Sequence, residues 1–180
     1  MIQILGISGS LRRQSSNTLL LHALVPLLPP GARLQVFDGI GELPHFNPDL
    51  DQKEKILSVE KFREALAHAD AVLISTPEYA FGMPGVLKNA LDWVVSSGEL
   101  NEKPVAAISA SPLHTGGNKA MASLLPTLTA LGTHWSEGST HSIPVVYKKM
   151  TGTEITDPQT REKLQAVLET LCAKVRRKGS

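Results

Sequence analysis

Five short, almost unbroken apolar runs recur along the chain, and each is followed by a stretch with helical spacing. No other feature limits the possible folds as strongly. The runs are 2–8 (IQILGIS), 33–39 (RLQVFDG), 70–76 (DAVLIST), 104–111 (PVAAISAS) and, in interrupted form, 134–147. The spacing predicts helices from Ser15 or Ser16 to Leu28, over 53–69, 83–97 and 117–131, and from Gln159 to Lys178. Pro126 should kink or divide the fourth of these, and 40–52, with Pro44 and Pro48, reads as a loop. A strand that is apolar on both sides must be covered on both sides. The alternation therefore predicts an α/β fold, a five-stranded parallel sheet between two helical layers in an αβα sandwich. The order 2-1-3-4-5 is a common arrangement of such units. It puts binding at the carboxyl ends of the strands, near the switch between strands 1 and 3. The loops 8–18, 77–82 and 111–117 converge there. A length of 180 residues suits a single domain over 1–180.

The first of these loops, GISGSLRRQSSNT (6–18), is dense in small polar residues. A P-loop needs G-x-x-x-x-G-K-[ST], and no lysine follows. A dinucleotide fingerprint needs a third glycine, and only Gly6 and Gly9 are present. GISGS departs from the nucleophile elbow G-x-S-x-G at Ser10. A cradle for one phosphate remains. It would use backbone N–H groups at a helix N-terminus, serine hydroxyls, the Asn17 amide and the Arg12 guanidinium. Capping of the helix by Ser15, Ser16 and Asn17 accounts for the same residues equally well. The chemistry of the loop leaves both open.

Two motifs taken together point further. GSLRRQSSN resembles the phosphate loop GS-x-R-x-x-S-x-N of the NAD(P)H-dependent FMN reductases, which have a flavodoxin-like fold. It matches at Gly9, Ser10, Arg12, Ser15 and Asn17. TPEYAFGMPGVLKNALDW (76–93) is similar to the family's second motif, PEY followed by PG-x-LKN-x-[IL]D. Pro77, Glu78, Tyr79, Pro84, Gly85, Leu87, Lys88, Asn89, Leu91 and Asp92 match it. The βα order extends the resemblance over most of the chain, with the C-terminal stretch least diagnostic. The family includes FMN reductases, azoreductases, quinone reductases and chromate reductases.

The resemblance implies FMN as cofactor and NADPH or NADH as co-substrate. The second substrate would be a small acceptor, such as free flavin, a quinone, an azo compound or chromate, reduced in ping-pong order. It implies a 5′-phosphate held by Ser10, Arg12, Ser15, Ser16, Asn17 and Thr18. The ring would lie along Pro77, Glu78, Tyr79, Ala80 and Phe81, with Ser111 and Gly116 of the third loop on its other side. Glu78 serves either the ligand or the loop, accepting bonds from a helix. No side chain is expected to be catalytic, because the flavin carries the chemistry. His114 is either a donor to flavin or nicotinamide or a solvated loop residue. Ala80 and Phe81 stand where the family often has Asn-Tyr or His. The more apolar pocket that results would suit flat hydrophobic acceptors such as quinones. Lys88, Asn89 and Asp92 read as capping and packing residues, and Leu91 and Trp93 as subunit-interface residues of a homodimer or homotetramer.

Composition narrows the remaining classes. A net charge of +1 gives no global field for nucleic acid or an anionic membrane. No apolar run approaches the roughly 20 residues that span a bilayer, and MIQILG has no leader pattern, so a cytoplasmic location is expected. The one cysteine, Cys172, excludes an intramolecular disulfide. It lies on the apolar stripe of the last helix and reads as buried and inert. The histidines show no metal-ligand spacing, so no metal is expected. An electron-transfer flavodoxin is the main alternative. Such carriers are usually strongly acidic and use a T-x-T-G-x-T loop, which is absent here. A non-catalytic flavin-binding domain is the other.

Overall fold

The computed structural model describes residues 1–53 and 55–178. Five strands, β1 (Ile2–Ser8), β2 (Ala32–Phe37), β3 (Ala71–Thr76), β4 (Val105–Ala110) and β5 (Thr140–Ile143), form one sheet in the order β2-β1-β3-β4-β5. All neighbours are parallel. β3 and β4 are buried at every residue, which explains their unbroken apolar runs. Edge strand β2 alternates in exposure, as its sequence does.

The pleat divides each strand between two layers. Leu5, Ile7, Val72, Ile74, Val105 and Ala107 face one way. They pack against α3 (Leu57–His68), α4 (Gly85–Asp92) and α5 (Asn118–Ala130) through Phe62, Leu66, Leu87, Leu91, Leu124 and Leu128. Ile4, Ala71, Leu73, Ala106 and Ile108 face the other way. They meet α1 (Ser16–Ala23) and α6 (Pro158–Lys178) through Leu20, Leu24, Leu164, Leu168 and Leu171. Cys172 lies in this second core, where burial pushes its thiol pKa up and keeps it protonated.

Several boundaries differ from the sequence expectation. α1 stops at Ala23 rather than Leu28, because Pro26 starts a 3-10 turn over Val25–Leu27. The helix expected over 83–97 ends at Asp92 and continues only as turns. That expected over 53–69 begins at Leu57, and Glu54 lies outside the described residues. The 40–52 loop contains a 3-10 turn at Ile40–Glu42 and a short helix, α2 (Pro48–Lys53). The Asn47 side chain accepts the Asp49 N–H at the start of that helix. Pro126 does not divide α5. Pro126 and Ala122, whose carbonyl loses its helical donor, both lie on the exposed side, where water can satisfy it. The segment 134–147 is interrupted as expected: His134 pairs with Pro104, a 3-10 turn at Glu137–Ser139 intervenes, and β5 follows. A small hairpin, β6 (Met150–Thr151) and β7 (Glu154–Ile155), had no sequence signal strong enough to anticipate it.

Trp93 and Leu91 are core residues rather than surface ones, with 1% and 0% exposure. The Trp93 indole donates to Pro44 O at 2.8 Å and meets the Phe46 ring edge-on at 5.2 Å. Asn89 completes the clasp, donating to Pro44 O and accepting from Phe46 N–H. Lys88 pairs with Asp92 one turn on. The structural role expected of Lys88, Asn89 and Asp92 holds. The 40–52 segment is also pinned by Arg63, whose guanidinium donates to Asp51 and to Trp93 O, each at 2.6 Å.

The Ser96 hydroxyl and the Arg63 guanidinium hold the Asp51 carboxyl below its ordinary value of 3.8, against the opposing effect of burial. A carboxylate whose pKa is depressed by folding stabilises the native state fully above its unfolded pKa. That contribution is lost as pH falls through the folded value. Asp51→Asn should therefore lower stability at neutral pH and flatten the acid limb of the curve below about pH 4. Urea unfolding at a series of pH values measures both.

Candidate active site

The carboxyl ends of β1, β3 and β4 open into two adjoining pockets that share Arg12 and Tyr79. One, about 190 Å³, is the more polar of the two and lined by Arg12, Ser15, Ser16, Asn17, residues 77–79 and residues 110–113. The other, about 400 Å³, is mainly apolar and lined by Gly9, Leu11, Arg12, Tyr79, Pro84, Gly85 and Val86.

The loop after β1 lies hard against β3. Gly9 N–H donates to Ser75 O, and a Cβ on Gly9 would stand 2.8 Å from Thr76 Oγ1. Only glycine lets the chain turn there. The Ser15 hydroxyl accepts the Asn17 N–H and caps α1. Ser8 and Thr18 hydroxyls bond each other at 2.7 Å. The Ser10 hydroxyl accepts Arg12 N–H. Among the described residues the exposed Arg12 guanidinium has no protein partner.

Asn17 is buried at 2% exposure, and its amide braces the sheet. Its Oδ1 accepts from Ser75 Oγ and Ala110 N–H, and its Nδ2 donates to Ala110 O. The side chain thus ties α1 to the ends of β3 and β4, leaving one N–H uncommitted. Three of its hydrogen bonds are spent on positioning, while the residue also lines the pocket. Glu78 is likewise committed: its Oε2 accepts Lys119 N–H at 2.8 Å and Ala120 N–H at 3.2 Å, capping α5. The carboxylate serves a helix, as one expected alternative had it, but the helix after β4 rather than the next one in the chain.

Tyr79 and Gly82 exchange both backbone hydrogen bonds, so Ala80 and Phe81 form a two-residue turn. Both have positive φ, 48° and 61°, a conformation costing non-glycine residues roughly 1–2 kcal/mol each. Phe81 is 80% exposed at the tip. Ser111 lines the polar pocket while its hydroxyl accepts Leu113 N–H.

Not every expected residue lines a pocket. Arg12, Ser15, Ser16, Asn17, Pro77, Glu78, Tyr79 and Ser111 do, whereas Ser10, Thr18, Ala80, Phe81 and Gly116 shape the surrounding loops. Gly116 is buried at φ +64, with its carbonyl bonded by Ser109 Oγ. His114 is exposed and lines neither pocket. Leu11, Val86 and Leu113 are lining residues that the sequence reading missed. Leu11 and Leu113 are each the lone apolar residue in a polar loop, a signal that was available.

The donor set suits an anion beside a flat ring. The start of α1, the serine hydroxyls and a free guanidinium face the polar pocket, and its one carboxylate, Glu78, is turned onto α5. The apolar pocket offers Leu11, Tyr79, Pro84 and Val86 to a planar group. Among the described residues no cluster could hold a metal ion, and no helix is long and apolar enough to cross a membrane.

Comparison with known proteins agrees. A family model described as NADPH-dependent FMN reductase matches residues 2–146. An NAD(P)H-dependent FMN reductase of Pseudomonas aeruginosa is 42% identical over 135 residues, 74% of this chain and 72% of that protein. A quinone reductase of Pseudomonas putida is 39% identical over 114 residues, 61% of this chain and 60% of that protein. Among solved structures, the flavoenzyme NAD(P)H:acceptor oxidoreductase FerB of Paracoccus denitrificans superposes with a TM-score of 0.87 at 30% identity, covering 98% of each chain.

Asn17→Ala would leave the Ser75 hydroxyl and both Ala110 backbone groups without partners. It should cost about 2–4 kcal/mol of stability. Glu78→Ala, which removes one helix cap, should cost only about 1 kcal/mol. Denaturant melts of the two variants, compared directly, check the ranking.

Proposed function

The chain belongs to the NADPH-dependent FMN reductase family, and on that premise we propose that it is an FMN-dependent reductase acting on flat, apolar acceptors, quinones foremost. The observation that carries the reading is the joining of a polar, guanidinium-bearing pocket to an apolar one at the carboxyl ends of β1 and β3. The acceptor class is supported by the likeness to a quinone reductase and by the apolar lining.

When bound, FMN supplies the redox chemistry, taking a hydride from NADPH or NADH and returning it to an acceptor. The chain's residues bind and orient. Arg12, the Ser15 and Ser16 groups and the start of α1 hold the phosphate by charge-assisted bonds. Pro77 and the Tyr79–Gly82 turn present a fixed backbone edge to the ring, and Leu11, Pro84 and Val86 exclude water from one side. Asn17 and Glu78 hold these loops in register. One apolar pocket serves donor and acceptor in turn, which favours a ping-pong order. The same reading includes a homodimer or homotetramer. Its contact surface is to be sought at exposed Leu11, Phe81 and Leu113, since Trp93 is buried within the protomer.

Reconstitution with FMN should give a yellow protein that oxidises NADPH with a quinone, without a partner reductase. Failure to retain flavin would overturn the proposal, and flavin binding without turnover would favour an electron carrier. Arg12→Ala should weaken FMN at least tenfold in a fluorescence titration. Ala80→Asn should lower kcat/KM for a quinone relative to free flavin; an unchanged ratio counts against the acceptor assignment.

A further inference from the structure

A separate pocket of about 560 Å³ lies at the other end of the sheet. Its walls are the chain just before β4, the chain just before β5 and the last turns of α6. Six residues of β4 separate it from the flavin site, a distance of roughly 20 Å. Trp135, His134, Glu102, Lys174 and Arg177 line it.

The pocket is held in shape by its own bonds. Glu102 N–H donates to Gly132 O and His134 N–H to Lys103 O, joining the two loops. The Lys103 ammonium in turn donates to Leu66 O and Ala69 O at the end of α3. Glu102 sits at φ 58, a conformation disfavoured for a non-glycine residue, and its carboxylate meets the His134 ring at 2.7 Å. Such an outlier persists only where its surroundings over-determine it, and these concentrate at binding sites. The Trp135 indole N–H donates to Thr129 Oγ1, which fixes the ring plane.

The charges are unbalanced. The lining carries two cations, Lys174 and Arg177 on the facing helix, against one carboxylate, Glu102, which bonds the His134 ring. Among the described residues Lys174 reaches only the His134 carbonyl, and Arg177 has no acidic partner. Partial burial lowers the Lys174 pKa. A fixed aromatic face beside two under-neutralised cations matches one ligand chemistry.

We propose that this pocket is a second binding site, for a planar aromatic anion whose ring lies against Trp135 and whose anionic group meets Lys174 and Arg177. Nothing in the flavin site is required for it, so the two assignments fail separately.

Anilinonaphthalene sulfonate, a planar aromatic anion, is the probe, titrated into FMN-loaded protein so that the flavin site is filled. The chain has two tryptophans; Trp135 lines the pocket, whereas Trp93 is buried at 1% exposure and does not. Saturable quenching of tryptophan emission should therefore disappear in Trp135→Phe. Lys174→Ala and Arg177→Ala should each weaken the probe roughly tenfold, with the flavin spectrum and NADPH turnover unchanged. Uncharged phenylnaphthylamine should bind more weakly than the sulfonate. Unsaturable quenching, equal binding by the charge variants, or equal binding of the uncharged analogue would each overturn the proposal.

Discussion

Parallel strands cannot be joined by a tight turn. Each strand must be returned to the starting edge by a crossover, and here helices serve that purpose. This constraint produces the rest of the molecule. It forces both faces of β3 and β4 into apolar cores, sends every strand's exit loop to one end, and collects the residues after β1, β3 and β4 around a common opening. In open parallel sheets ligand sites gather at that end, where the exit loops part on either side of the switch in strand order.

The loops themselves need holding, and polar side chains hold them. Asn17 spans from α1 to β3 and β4, and Glu78 spans from the loop after β3 to the start of α5. Each spans elements remote in sequence, so each sets the distance between loops that must act on the same ligand. A motif residue that lines the opening can therefore also be committed to holding its loops together. The strain at Ala80 and Phe81 belongs to the same economy: a two-residue turn re-aims the backbone at the opening although neither residue favours it.

Legibility in the sequence followed the range of the interaction. The apolar runs mark four strands with small errors at the ends, because burial leaves few residue types, and bracket the fifth, Thr140–Ile143, within the longer segment 134–147. Helix ends were less readable. Pro26 turned α1 into a 3-10 turn earlier than its leucines suggested, while Pro126, on the solvent side, left α5 whole. Arg12, Ser15 and Tyr79 were readable as lining residues from their motifs. Glu78 remained ambiguous because its partners, Lys119 and Ala120, lie about forty positions away. Trp93 was misassigned for the same reason: Pro44 and Phe46, which bury it, lie far off in the chain.

The sequence by itself determined the alternation of strand and helix, hence a parallel sheet covered on both faces, and the two loop motifs, since these rest on local composition and periodicity. Only the tertiary structure decided which polar residues of those motifs face outward and which are consumed as braces. It also decided that an indole and two cations from separate segments share a second pocket at the opposite end of the sheet. A side chain's free valence depends on its neighbours in space, and a one-dimensional pattern does not contain them.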